Sequence, residues 1–262
     1  MQMGQSLSAG IGLDHYESEE LWSGSYWDAR QTDRAQRTAD LLPSGVATVA
    51  DVGCGAGIVT NELRARGKKV VALDFAATPL LQVAPPRVQA DVTGLPFPDR
   101  AFDAVVASEV VEHLSKPVRR KALAEIMRIA DRWILLTVPY REDLARASVC
   151  CAECGCTFHR YRHTASFDER SLSHLFSPGF ACDRMTLLGN SSPRPLHTAV
   201  RLAQLAGGYV SPGASSRCPM CGNTERFVHT RNRFTRLLIG GSARLMPRRR
   251  ARWIAVLYGR TP

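Results

Sequence analysis

Between residues 47 and 139 the chain repeats one pattern: a short apolar run, a turn, and then a segment with helical spacing. ATVADVG, KKVVALD, RVQAD, AFDAVVAS and RWILLTVP are the apolar runs, with IVTNELRARG and PVRRKALAEIMRIA among the segments between them. Parallel strands need a crossover of a dozen or more residues, and strands covered on both faces read as continuous apolar runs. The pattern therefore predicts an α/β fold on a parallel sheet. Ahead of it, DARQTDRAQRTADLL has Ala and Leu at helical intervals, and Pro43-Ser44-Gly45 stops that helix.

Beyond Pro139 the periodicity fades. Residues 141–163 hold four of the eight cysteines, and a short helix through DERSLSHLF and a strand through ACDRMTLLG follow. Residues 190–250 are rich in Gly, Pro, Ser and Arg, and ARWIAVLYGR reads as a further strand. The expected organisation is a core over 1–140, an insertion over 141–163, a return to the core over 164–189, a second insertion over 190–250, and a last core strand over 251–262. Hydrophobic residues at 45% and charged residues at 22% exclude a disordered, collagen-like or coiled-coil chain. The longest apolar run, WILLTVP, is far short of the roughly 20 residues of a bilayer span. MQMGQSLSAGIGLDHYESEE has no basic region followed by an apolar core, so no signal peptide is expected and the expected location is the cytoplasm.

Asp51-Val52-Gly53-Cys54-Gly55-Ala56-Gly57 follows the first strand and opens a helix, where glycines let a ligand approach the backbone. Asp74 ends the second strand, where a carboxylate can accept both hydroxyls of a ribose. Asp91-Val92 follows the third strand, and the fourth ends in Ser108-Glu109 before VVEHL. A dinucleotide oxidoreductase shares such an architecture, but its loop reads GxGxxG rather than DxGCGxG.

In this order, VADVGCGAG, LDFA, ADVTGLPFPDRAFDAVVASEVVEHL and WILLTVP resemble the class I S-adenosylmethionine-dependent methyltransferases over about residues 15–140. The resemblance implies a Rossmann-like, seven-stranded, mostly parallel sheet whose last strand, ARWIAVLYGR, is antiparallel. It implies S-adenosylmethionine as cofactor, with Asp51, Gly53, Cys54, Gly55 and Gly57 around the methionine moiety. Asp74 is then the ribose ligand, Asp91 and Val92 lie at the adenine, and Glu109 lies beside the cofactor.

No (N/D)PP(Y/F) tetrapeptide stands at the end of the fourth strand, which argues against methylation of an exocyclic base nitrogen. Glu109-Val110-Val111-Glu112-His113 stands there instead, and its spacing places the acids and the imidazole on one face of the first turn of a helix. Two carboxylates and an imidazole suit a divalent cation. The ExxEH segment resembles two metal-assisted O-methyltransferase groups, those of ubiquinone synthesis and those methylating the terminal ribose of small RNAs. In the RNA group a second histidine completes the site. His163 is its counterpart here, with His159 as substitute. The candidate catalytic residues are thus Glu109, Glu112, His113 and His163. His163 serves either as general base without a metal or as ligand to a magnesium ion held with the other three.

Cys151-x-x-Cys154 and Cys218-Pro-Met-Cys221-Gly222, with 63 residues between them, match zinc-ribbon knuckles. Four thiolates leave no open position, so the expected metal is structural zinc in a four-cysteine, zinc-ribbon-like lid over the substrate. Cys150 and Cys156 are alternative ligands, and Cys54 and Cys182 are expected in the core.

Lys and Arg number 34 and Asp and Glu 24, a net charge of +10 that lies wholly within residues 226–262, which hold ten Arg and no acid. RNRFTRLLIGGSARLMPRRRARW suits an acidic substrate, RNA, an anionic membrane surface, or a solvated face. Gly240-Gly241 is expected to break a continuous amphipathic helix there, and no membrane insertion is expected. The reading that unites these features is methyl transfer to a hydroxyl of a polar small molecule, such as a sugar, a glycosylated metabolite or a polyphenol. RNA methylation is the alternative, and a non-catalytic cofactor-binding scaffold is the second.

Overall fold

The computed structural model describes residues 13–23, 28–190, 195–212, 216–228, 233–245 and 251–261. A short helix α1 (Leu13–Tyr16) and helix α2 (Ala29–Ala39) precede strand β1 (Thr48–Val52). Helix α3 (Ile58–Ala65), β2 (Lys69–Asp74), α4 (Ala77–Leu80), β3 (Arg87–Gln89), β4 (Phe102–Ser108), α5 (Lys116–Ile129) and β5 (Ala130–Pro139) follow. Then come β6 (Ser148–Cys151), β7 (Thr157–His159), α6 (Glu169–Ser173), β8 (Phe180–Asn190), α7 (His197–Leu205), β9 (Phe227–Val228), α8 (Arg233–Leu245) and β10 (Ala251–Arg260).

The main sheet has seven strands in the order β3-β2-β1-β4-β5-β10-β8. The first five run parallel, and β10 inserts antiparallel to both β5 and β8. This is the expected α/β sheet with ARWIAVLYGR reversed. Both faces are covered, as an apolar parallel sheet requires. One face packs Val49, Val70 and Leu135 against Ala35, Ala39, Val59 and Leu63 of α2 and α3. The other packs Val105, Ile134 and Val256 against Ile126 and Ile129 of α5 with Leu172, Phe176 and Phe180.

A small second sheet, β7-β6-β9, joins the two cysteine-bearing regions, with both outer strands antiparallel to β6. The second insertion is more regular than its Gly and Pro content indicates, because α7 and α8 pack on one another. Helix α8 runs unbroken through Gly240-Gly241, which corrects the expected break. A mid-helix glycine costs only about 1 kcal/mol. Packing against α7 and the burial of Thr235 and Ser242 offset that cost. Residues 246–250, with three of the clustered arginines, lie outside the described residues.

The turn after β1 sets the geometry of the carboxyl edge. Gly53 has φ +69°, and a Cβ there would collide with the Val110 Cγ2. Only a residue without a side chain lets the loops after β1 and β4 meet this closely. Gly53→Ala is therefore expected to destabilise the protein by about 1–3 kcal/mol, from left-handed strain with the clash adding to it. Urea unfolding of the two proteins checks this.

Candidate active site

The carboxyl ends of β1, β2, β4 and β5 meet along one edge of the sheet, over which a cleft of about 920 Å³ opens. In open α/β sheets this edge is where ligands bind. Gly53, Gly55, Asp74, Asp91, Val92 and Glu109 all line it, as the sequence reading expected. Asp51, Cys54 and Gly57 support it from behind and are not among the lining residues. Asp51 is buried and accepts a 2.5 Å hydrogen bond from the Thr60 hydroxyl, tying β1 to α3. Cys54 is in the core as expected, packed with Ala72, Leu80 and Val83, whereas Cys182 is only half-buried, at the margin of the larger cluster around β4 and β5.

Asp74 organises the glycine-loop end of the cleft. Its carboxylate accepts the backbone N–H of Gly55 at 2.8 Å and that of Ala76 at 3.0 Å. Burial pushes its pKa up to about 6, against the pull of the N–H groups of Ala76 and Gly55. A carboxylate has about four acceptor sites, so hydroxyls of a ribose can still be received. Asp91 is held by Thr93, whose backbone N–H and hydroxyl donate to it at 2.9 and 2.8 Å.

The segment from Glu109 to His113 is a turn rather than the expected first turn of a helix, with Glu109 in the left-handed region at φ +60°. The two neighbouring acids take different surroundings. The Glu109 carboxylate turns back to accept the Trp253 indole N–H at 2.8 Å. Arg34, buried and hydrogen-bonded to the Ser108 hydroxyl, supplies a nearby positive charge. Burial still raises the Glu109 pKa.

Glu112 turns inward. It is fully buried, and neither carboxylate oxygen has a hydrogen-bond partner among the described residues. Burial, followed by the neighbouring Glu109, raises its pKa well above the ordinary value. Ligand atoms of Glu112, His113 and His163 all lie within 4.8 Å of one another. Glu109 is not in that triad, and His159 belongs to a second one with Glu142 and His163. The His113 Nδ1 meets the Tyr16 hydroxyl at 2.9 Å, and burial holds its pKa well below the usual range. The His163 Nδ1 meets the Glu142 Oε2 at 2.5 Å.

His163 reaches Glu112 and His113 through a specific clamp. The Glu112 carbonyl accepts the Thr164 N–H at 2.7 Å, the Thr164 hydroxyl at 3.1 Å and the Ala165 N–H at 3.3 Å. Sequence reasoning singled out His163 but not Glu142, Tyr16, Arg34, Thr164 or Trp253. An available signal was the position of Glu142, just past the end of β5, where polar residues face a ligand in such sheets.

The four expected cysteines also come together. Their sulfurs lie within 4.8 Å of one another, with Cys151 and Cys221 at 3.6 Å and Cys154 and Cys218 at 3.5 Å. A tetrahedral zinc with bonds of about 2.3 Å spaces its sulfurs by about 3.8 Å, so the donor set fits that ion. The two turns are alike: Gly155 donates to the Cys151 carbonyl at 3.1 Å and Gly222 to that of Cys218 at 3.0 Å. Burial raises the Cys151 thiol, but the N–H groups of Cys154 and Glu153 outweigh it and bring the pKa down to about 6.

Residues 50–132 match the family described as a methyltransferase domain. The curated relatives include a demethylmenaquinone methyltransferase of Renibacterium salmoninarum, 38% identical over 87 residues. That match covers 31% of this chain and 35% of the relative, so the chain spans about a third of that protein's length. A demethylmenaquinone methyltransferase of Mycobacterium bovis is 27% identical over 205 residues, covering 73% of this chain and 81% of the relative. Among solved structures, the 1,6-didemethyltoxoflavin-N1-methyltransferase of Burkholderia thailandensis, with S-adenosylhomocysteine bound, aligns with a TM-score of 0.58. It is 13% identical and covers 100% of this chain and 92% of that one. The fold is one that this solved methyltransferase shares. Within it, the segment 50–132 is the part that matches a methyltransferase domain.

An acid whose folded pKa exceeds its unfolded value of about 3.9 makes folding less favourable as pH rises from there to the folded pKa. With Asp74 at about 6, the stability of Asp74→Asn relative to the parent is expected to rise between about pH 4 and pH 6 and then level off. The same substitution is expected to weaken S-adenosylmethionine binding about 10- to 100-fold at neutral pH, the worth of a hydrogen bond to a charged acceptor. Denaturation at stepped pH and calorimetric titration measure the two effects.

Proposed function

We propose that the protein transfers a methyl group from S-adenosylmethionine to a hydroxyl oxygen of a polar small molecule, with a divalent cation such as magnesium at Glu112, His113 and His163. The observation that carries this reading is the buried Glu112 carboxylate, without a hydrogen-bond partner among the described residues, just behind the His113 and His163 imidazoles that line the glycine-loop cleft. An unpaired buried carboxylate is costly, and a cation relieves that cost. The cofactor, when bound, supplies an electrophilic methyl on its sulfonium. The cation, when bound, lowers the pKa of an acceptor hydroxyl and orients it.

The chain's own groups do the rest. Gly53, Gly55 and Asp74 hold the cofactor against the edge of the sheet, while Asp91 and Val92 border the adenine. Glu109 is held by Trp253 at the junction of the cofactor and acceptor halves. His163 receives the hydroxyl proton at Nε2, the ring nitrogen that Glu142 leaves open, when it acts as base rather than as ligand. Arg146, Arg160 and Arg252 line the acceptor end, which suits a sugar or polyphenol carrying an acidic group. Structural zinc at Cys151, Cys154, Cys218 and Cys221 ties the two insertions into a lid over that end.

The test is incubation with methyl-labelled S-adenosylmethionine and fractionated extract, in magnesium or in excess EDTA, with zinc content checked throughout. Label is expected in small molecules and is expected to vanish with EDTA while zinc stays bound. Label that persists in EDTA leaves His163 as base, and label in RNA overturns the choice of acceptor. For the lid, Cys218→Ser is expected to release the zinc, read by atomic emission, while the α/β core keeps its cooperative unfolding. Full zinc retention in that variant rejects the four-cysteine assignment.

A further inference from the structure

Resting on that reading of the acceptor site, we infer that Glu142 is a positioning residue that fixes which nitrogen of His163 faces the acceptor. The His159 Nδ1 accepts two backbone N–H groups, from Tyr161 at 3.3 Å and His163 at 3.2 Å, so in the neutral ring the proton sits on Nε2. That buried Nε2 lies 3.4 Å from the Glu142 Oε1 and has no closer polar partner among the described residues. The other oxygen of the same carboxylate lies 2.5 Å from the His163 Nδ1. One carboxylate therefore faces a nitrogen of each of two stacked imidazoles, whose ring centroids are 4.5 Å apart.

Being acceptor-only when ionised, Glu142 draws the His163 proton to Nδ1 and leaves the lone pair on Nε2. His163 lines the cleft beside Glu112 and His113, so Nε2 is the nitrogen left to take a hydroxyl proton or a cation. Histidines that ligate metals are commonly fixed in this way, by a carboxylate on the other ring nitrogen. Without Glu142 the ring is free to place its proton on Nε2, where it serves neither role. The link is also directional along the chain, because Glu142 follows β5 whereas His159 and His163 follow the first cysteine knuckle. Glu142 thus ties the insertion to the sheet at the point where the acceptor binds.

The experiment compares the parent, Glu142→Gln and Glu142→Asp as full chains with zinc retained. Histidine nitrogens are read by long-range proton–nitrogen correlation, with His163→Gln assigning the signals, and manganese binding is then titrated by electron paramagnetic resonance. Circular dichroism and S-adenosylmethionine affinity are expected to match the parent, which establishes that each variant folds. The parent is expected to carry its His163 proton on Nδ1. Glu142→Gln is expected to lose that preference and to bind manganese about 10- to 100-fold more weakly. Glu142→Asp, which keeps the charge on a shorter arm, recovers part of both. An unchanged tautomer in Glu142→Gln overturns the inference whatever the manganese affinity does. A parent that binds no manganese removes the cation from the proposed function, and the tautomer comparison then decides the role of Glu142 alone.

Discussion

A single carbonyl oxygen, that of Glu112, holds the histidine side of the cleft together. The backbone N–H groups of Thr164 and Ala165 donate to it, so the turn after β4 and the loop leaving the first cysteine knuckle are locked to each other. The Thr164 hydroxyl shares its one proton between this carbonyl, at 3.1 Å, and the nearer Leu114 carbonyl, at 2.7 Å. Backbone clamps of this kind are insensitive to which side chains they carry. The result is that Glu112, His113 and His163 converge although about fifty residues separate them in the chain.

Much of the core was legible in the sequence for a physical reason. Strands buried on both faces must be apolar throughout, and the turns between them need Gly or Pro, so both signals are local. Gly53, Gly55, Asp74 and Asp91 were legible because the backbone at a strand's carboxyl end restricts which residues fit. The partners of the site were not, because they arrive from afar. Tyr16 meets His113 across 97 positions and Trp253 meets Glu109 across 144, and neither carries a local signature. Glu109 through His113 was misread as helical because three-residue spacing suits a turn equally well. Only the left-handed backbone at Glu109 distinguishes the two. Helices α7 and α8 were obscured by composition: Gly240 and Gly241 suggested a break where packing on α7 overrides propensity.

The two cysteine turns show the opposite balance. Their spacing was plain, yet their placement depends on β9 pairing with β6, a contact of two residues on each side. Because His159 ends β7 in the same small sheet, the geometry of the cysteine cluster passes directly into the stacked histidines. The insertion is therefore part of the cleft wall, to which Arg160, Tyr161 and His163 contribute.

Strand β10 fills the slot between β5 and β8, and among the described residues β8 has no other neighbour in the sheet. The strand that separates those two is synthesised after both. While the chain is still emerging from the ribosome, β1 through β5 can assemble and present the glycine loop, but β8 has nothing to pair with. Trp253, on β10, is also absent then, so Glu109 is left without its indole partner. The glycine-loop end of the cleft is thus in place before the end that Arg252 and Trp253 line.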